Sequence, residues 1–275
     1  MTPDNQLPNL DHFSTNIDTS KPNVARMYDY LLGGYHNFEA DRQLAEQILA
    51  VHPDSKVNAF INRHVLQRMV EFLANAGISQ FLDLGAGIPT VQNTHEVVQA
   101  INPDAKVVYV DIDPIAVAHS KMLLKDDPNV DAFQADAAHI ELILDHPVTK
   151  SLIDFRQPVG VLLISVLHYI TDDETAFRVV DKIKAAIASG SYVAIIHSTL
   201  DDYKPASAEE GDRLLKLASA ARHRSKSEIA RFFEGLALVE PGLVYSPRWR
   251  PESEDEPFFD EPWRAFGYGG IGRKP

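Results

Sequence analysis

The residues best placed for chemistry are two acids separated by a turn that lacks large side chains. Phe81-Leu82-Asp83-Leu84-Gly85-Ala86-Gly87 reads as a strand running into a glycine turn, and Val107-Val108-Tyr109-Val110-Asp111, about 24 residues on, as a second strand ending in a carboxylate. Glycines let the backbone approach a ligand closely, and an acid at the neighbouring strand tip can accept hydrogen bonds from both hydroxyls of a ribose. Strand, turn, helix, strand and acid, in that order, outline one βαβ unit that binds a nucleoside. On this reading Gly85, Ala86, Gly87, Asp111 and the adjacent Ile112 are cofactor-binding candidates. The same parts serve dinucleotides, so the pattern alone leaves NAD open.

Such a unit needs a parallel sheet to hold it. From Gln80 onward, apolar runs alternate with turns and helical periods, as in a sheet covered on both faces. Strands are predicted near 80–84, 107–111, 131–134, 159–166, 191–197, 236–245 and 266–272; helices are predicted near 89–101, 114–124, 173–188 and 208–233, the last with a break. Val159 to Leu167 and Tyr192 to Ile196 are nearly all apolar and belong at the middle of the sheet. Upstream, residues 1–19 read as a flexible polar arm. Ser20 and Pro22 then start a helix over 23–32 that stops at Gly33-Gly34, and helices follow at 38–51 and 56–75. The expected division is an arm and helical cap over 1–76 and a nucleoside-binding domain over 77–275, forming one compact unit. Glu252 to Pro262 is acidic and proline-bounded, with Phe258 and Phe259 inside it; it reads as a solvated hairpin loop, with a lid or subunit contact as the alternative.

Asp83-Leu84-Gly85-Ala86-Gly87 resembles the first motif of class I S-adenosylmethionine-dependent methyltransferases. Asp111 resembles their ribose-binding acid, and Asp136, in Gln134-Ala135-Asp136-Ala137, their adenine-contacting acid. The likeness spans roughly residues 77–275 and implies an α/β, Rossmann-like, seven-stranded, mostly parallel sheet. In it Phe266-Gly267-Tyr268-Gly269-Gly270-Ile271-Gly272 is the antiparallel last strand. It also implies S-adenosyl-L-methionine as cofactor and a methyl acceptor as partner. Arg26-Met27-Tyr28-Asp29-Tyr30-Leu31-Leu32-Gly33-Gly34, Asn37-Phe38, Asp41-Arg42 and Asn62-Arg63 are similar to a narrower group of such proteins whose acceptor is not established. Asp83, Asp136 and the glycine-rich ending favour this donor over NAD, whose fingerprint would place a third glycine where Thr90 stands. The family's own turn often has a glycine where this chain has Pro89, a residue comfortable in the first turn of a helix.

Each candidate has a plainer reading beside the functional one. Asp83 could bond loop amides, Asp136 could cap a helix, and Asp113 most simply caps the helix that Pro114 begins. Ser165, a cofactor-binding candidate, and His168 close the fourth strand, beyond whose carboxyl end an acceptor would wait, and the neutral imidazole of His168 could take the acceptor's proton. His168 could equally be a packing residue, and His197 at the fifth strand tip is a weaker candidate. Tyr28, Gly34 and Arg63 belong to an aromatic, glycine-bearing cap that would close over the cofactor, with Arg26 or Arg63 reaching a carboxylate. A module that binds the nucleoside without turnover is the rival class.

Composition narrows the rest. Twenty-six basic against thirty-nine acidic residues leave a net charge of −13, which disfavours nucleic acid and anionic membranes and favours a small-molecule acceptor. The absence of cysteine excludes thiolate metal sites and a cysteine nucleophile and is compatible with a reducing cytoplasm. No zinc spacing, carboxylate cluster, leader or membrane span is legible, so no metal is expected; a homodimer stays open.

Overall fold

The computed structural model describes residues 18–89, 93–204 and 207–275. Most of the expected arm and Thr90 lie outside the described residues. Three helices open the chain: α1 (Val24–Leu31), α2 (Glu39–Val51) and α3 (Ser55–Asn75). Asn23, and not Ser20, caps α1, its side-chain oxygen accepting from the Ala25 N–H at 2.8 Å. A short amide side chain one residue before the helix satisfies a first-turn donor that Ser20 stands too far away to reach.

The core follows in the order β1 (Gln80–Leu84), α4 (Thr94–Ile101), β2 (Lys106–Asp111), α5 (Pro114–Leu124), β3 (Val130–Gln134), α6 (Ile140–Asp145), α7 (Pro147–Leu152) and β4 (Gly160–Ile164). Then come α8 (Asp173–Ala186), β5 (Tyr192–Ser198), α9 (Ala208–Leu217), α10 (Lys226–Arg231), β6 (Ala237–Leu238), β7 (Val244–Tyr245) and β8 (Gly267–Arg273). The sheet order is β3-β2-β1-β4-β5-β8-β6, with β7 also on β8. Strands β1 to β5 pair in parallel and β8 runs antiparallel to β5, in line with the expected Rossmann-like sheet. The order turns back between β1 and β4, and a crevice opens beyond the carboxyl ends at such a point.

One apolar layer, with Leu82, Val108, Leu163 and Val180, fills the α8 side; the other, with Val65, Met69, Phe81, Val107 and Leu162, fills the α3 side. The cap's longest helix therefore shares its core with the sheet. The strand expected over 236–245 is instead β6 and β7, separated by a turn through Pro241 and Gly242, which makes eight strands. Proline donates no ladder hydrogen bond and Gly242 has φ +85°, so the run cannot continue. The stretch 252–262 is mostly exposed, as a solvated loop would be, but it is pinned to the body: both oxygens of Glu256 accept from Arg68 of α3, at 2.8 and 2.7 Å, and the guanidinium of Arg264 lies over Phe258. Helices α6 and α7 have too few residues to show a period in the sequence.

Candidate cofactor cleft and acceptor side

The glycine turn is stitched onto the neighbouring strand. Val110 O accepts from Gly85 N–H at 2.8 Å and from Ala86 N–H at 3.2 Å, and the Asp111 carboxylate accepts from Gly87 N–H at 2.7 Å. Gly85 and Gly87 sit at φ +71° and +70°, which L side chains rarely adopt. A Cβ on Gly85 would stand 2.5 Å from Val166, whereas one on Gly87 would meet none of the described residues within 4 Å. Gly85 is thus closed against the tip of β4, and Gly87 is not closed by any described residue. Helix α4 does not begin at Pro89; Asn93 caps it, and the Asn93 N–H donates to Glu96 at 2.6 Å. Pro89 lines the cleft with Arg63, Asp83, Ala86, Gly87, Thr94 and Tyr109 among others.

Asp83 is 5% exposed and accepts from the Thr94 hydroxyl at 2.7 Å. Burial pushes its carboxyl from an ordinary 3.8 up to about 6, against the opposing pull of that hydrogen bond and of Arg63. Asp111 is raised too, by burial first, although the Gly87 and Asp113 N–H groups hold its charged form. A carboxylate has about four acceptor sites, so these bonds leave Asp111 room for a ribose. Asp83 thus feels both Arg63 and the second buried acid, Asp111. Beyond Asp111, the Ile112 side chain is exposed and Ala137 is buried. Asp136 accepts from Ala138 N–H at 2.9 Å and so caps the turn over 137–139, the plainer of its two sequence readings.

The cap is polar where it meets this unit. Arg26, 4% exposed, donates to Asp41 of α2 at 3.0 Å and to Asp113 at 3.3 Å, so the carboxylates it reaches are the protein's own. Asp113 also caps α5 through Ile115 N–H, and its own N–H donates to Asp111 at 2.8 Å. Gly34 is required because a Cβ there would stand 2.0 Å from Asp29, whose carboxylate accepts from His36 N–H and Asn37. Tyr28 donates to Ala59 O and accepts from Asn62, and Asn62 in turn accepts from Ser165 at 3.0 Å.

At the tips of β4 and β5 the histidines are engaged. Arginine is an obligate donor, so the 2.9 Å contact of Arg224 with His197 Nε2 fixes the proton on Nδ1, which donates to Ser198 O at 2.8 Å. Burial lowers His197 to about 4, and both ring nitrogens are used, so it is no base. His168 is buried; its Nδ1 accepts from Ser198 N–H at 3.4 Å, and burial holds it well below the usual imidazole range. Sequence reasoning missed Thr94, Tyr109 and Arg224. Asn93 and Glu96 spell a capping box that could have located Thr94, whereas nothing local marks Arg224.

The fold and cleft define a class I, Rossmann-like, nucleoside-binding protein. Residues 11–275 match the model of the S-adenosyl methyltransferase family, and the chain belongs to that family. It is 46% identical to a Thermobifida fusca YX protein classed provisionally as a methyltransferase, with 94% of this chain and 96% of that one covered and a TM-score of 0.86. A DUF574-family protein from Streptomyces avermitilis MA-4680 is 34% identical, with 94% and 100% covered and a TM-score of 0.87. The CurJ carbon methyltransferase shares the fold alone, at 12% identity, 90% and 66% coverage and a TM-score of 0.51. No curated protein matches the chain. The chain is an S-adenosyl-L-methionine-dependent methyltransferase. Among the described residues no helix is long and apolar enough to cross a membrane, and no cluster of side chains could hold a metal ion.

Proposed function

We propose that the protein methylates an oxygen or nitrogen atom of a small-molecule acceptor. The observation that supports it is on the donor side: Gly87, at φ +70° with no described residue within 4 Å of its Cβ position, lies beside the buried Asp83 and Asp111, a turn suited to the donor's nucleoside and cationic end. Asp111 would hold the ribose, Ile112 would pack on the adenine face, and Asp136 and Ala137 would meet the adenine edge. Gly85, Ala86, Gly87, Asp83 and Arg63 would surround the amino-acid end, with Gly34, Tyr28 and Ser165 closing the cap side. The donor supplies a sulfonium methyl already activated for in-line displacement.

The protein's part is then alignment and exclusion of water. With Nδ1 of His168 occupied by Ser198, proton exchange with an acceptor would run through Nε2. Calorimetry with S-adenosylhomocysteine tests the reading: Asp111→Ala is expected to weaken binding about tenfold or more, the loss of hydrogen bonds to a charged group. Unchanged affinity would remove Asp111 from the site. Methyl-labelled donor with a panel of amines, phenols and carboxylates then identifies the acceptor class.

A further inference from the structure

Asn62 lies outside the cleft lining, yet it joins the N-terminal helices to the tip of β4. The Tyr28 hydroxyl is committed as a donor to Ala59 O at 2.8 Å, so it accepts from Asn62 Nδ2 at 3.0 Å. That fixes the amide orientation, and Asn62 Oδ1 therefore accepts from Ser165 Oγ at 3.0 Å. Ser165 itself has φ +58°, a strained conformation for a non-glycine residue of the kind that collects at functional sites. Its N–H is held by Ile196 O at 2.8 Å, and the next residue, Val166, packs on Gly85. One continuous path thus runs from α1 through Tyr28, Asn62, Ser165 and Val166 to the cofactor turn.

We infer that Asn62 is a positioning residue for methyl transfer, coupling closure of the N-terminal cap to the conformation of the β4 tip and glycine turn. This rests on the donor occupying the Gly87 side of that turn. A hydroxyl bonded on each side of one carboxamide lets neither side shift without releasing the other, so the cap registers whether the turn is filled. A residue that merely packed α3 would not pass such a signal.

The test is amide hydrogen exchange of the full chain with and without saturating S-adenosylhomocysteine, with affinity by calorimetry. In the wild type the ligand should protect both 24–31 and 85–87. Asn62→Ala should abolish protection at 24–31 and weaken affinity roughly tenfold, the coupling expected of a linked element. Tyr28→Phe, which removes only the cap side of the bridge, should lose protection at 24–31 and keep it at 85–87. Adding it to Asn62→Ala should cost nothing more. Should Asn62→Ala fail to fold, Ser165→Ala carries the same reading from the strand side. Protection of α1 that persists in these variants, or affinity losses that add independently, overturns the inference alone. A wild type that binds no S-adenosylhomocysteine overturns the cofactor placement and this inference with it.

Discussion

Replacing Asp83 by asparagine should make the ligand-free protein more stable while weakening its hold on the cofactor. In the folded protein Asp83 keeps its proton up to about pH 6, while its ordinary value is 3.8. Between those limits the folded state binds the extra proton, so stability falls as pH rises and the deficit persists above 6. At roughly 1.4 kcal/mol per pH unit the gap amounts to about 3 kcal/mol. No discount for solvent screening applies, because the carboxyl is 5% exposed. Asparagine keeps the shape and an acceptor for the Thr94 hydroxyl, so the charge is the main thing removed. Urea denaturation at pH 7.5 should show the variant ahead by up to about 3 kcal/mol, a melting-temperature gain of some 5 °C or more. The advantage should vanish near pH 4. A variant that is no more stable than wild type at pH 7.5, or whose advantage survives at pH 4, would show that Asp83 carries no burial penalty. The affinity for S-adenosylhomocysteine should fall in the same variant, as expected where a site retains strain for function.

Arg26→Met leaves Asp41 and Asp113 buried without their cation, and chemical denaturation should show a loss of about 3–5 kcal/mol. His197 binds its proton more weakly folded than unfolded, so stability should drop as pH falls from 6.5 to about 4, by about 3 kcal/mol in all. In His197→Gln, whose amide can still accept from Arg224 and donate to Ser198, that part of the pH slope should disappear from denaturation midpoints. Gly34→Ala drives a methyl group into Asp29 and should lower the melting temperature more than Gly87→Ala, which strains only the backbone. Gly87→Ala should instead show its loss in S-adenosylhomocysteine affinity, read by calorimetry.

The sheet was legible because buried parallel strands are nearly continuous apolar runs: β4, for example, is buried at every position from Gly160 to Ile164. The glycine turn was legible because at Gly85 only glycine relieves both a positive φ and the contact with Val166. What stayed hidden depends on partners distant in sequence. Arg26 meets Asp113 across 87 positions and Arg224 meets Leu167 across 57, and no local spacing announces either pair. Asp136 shows a different limit, since the same acid at a strand end can serve a ligand or cap the next turn, and residue type does not choose between them.

The three residues Asp111-Ile112-Asp113 explain why the polar N-terminal motif stands so far from the glycine turn in sequence yet belongs to the same device. Asp111 holds the turn by accepting from Gly87 N–H; Asp113, whose N–H donates to Asp111, takes Arg26. A buried ion pair seldom adds stability over apolar packing, so its use here points to placement of the cap. Arg26 and Tyr28 thus fix α1 from two sides, one through Asp113 beside the glycine turn and the other through Asn62 at the β4 tip.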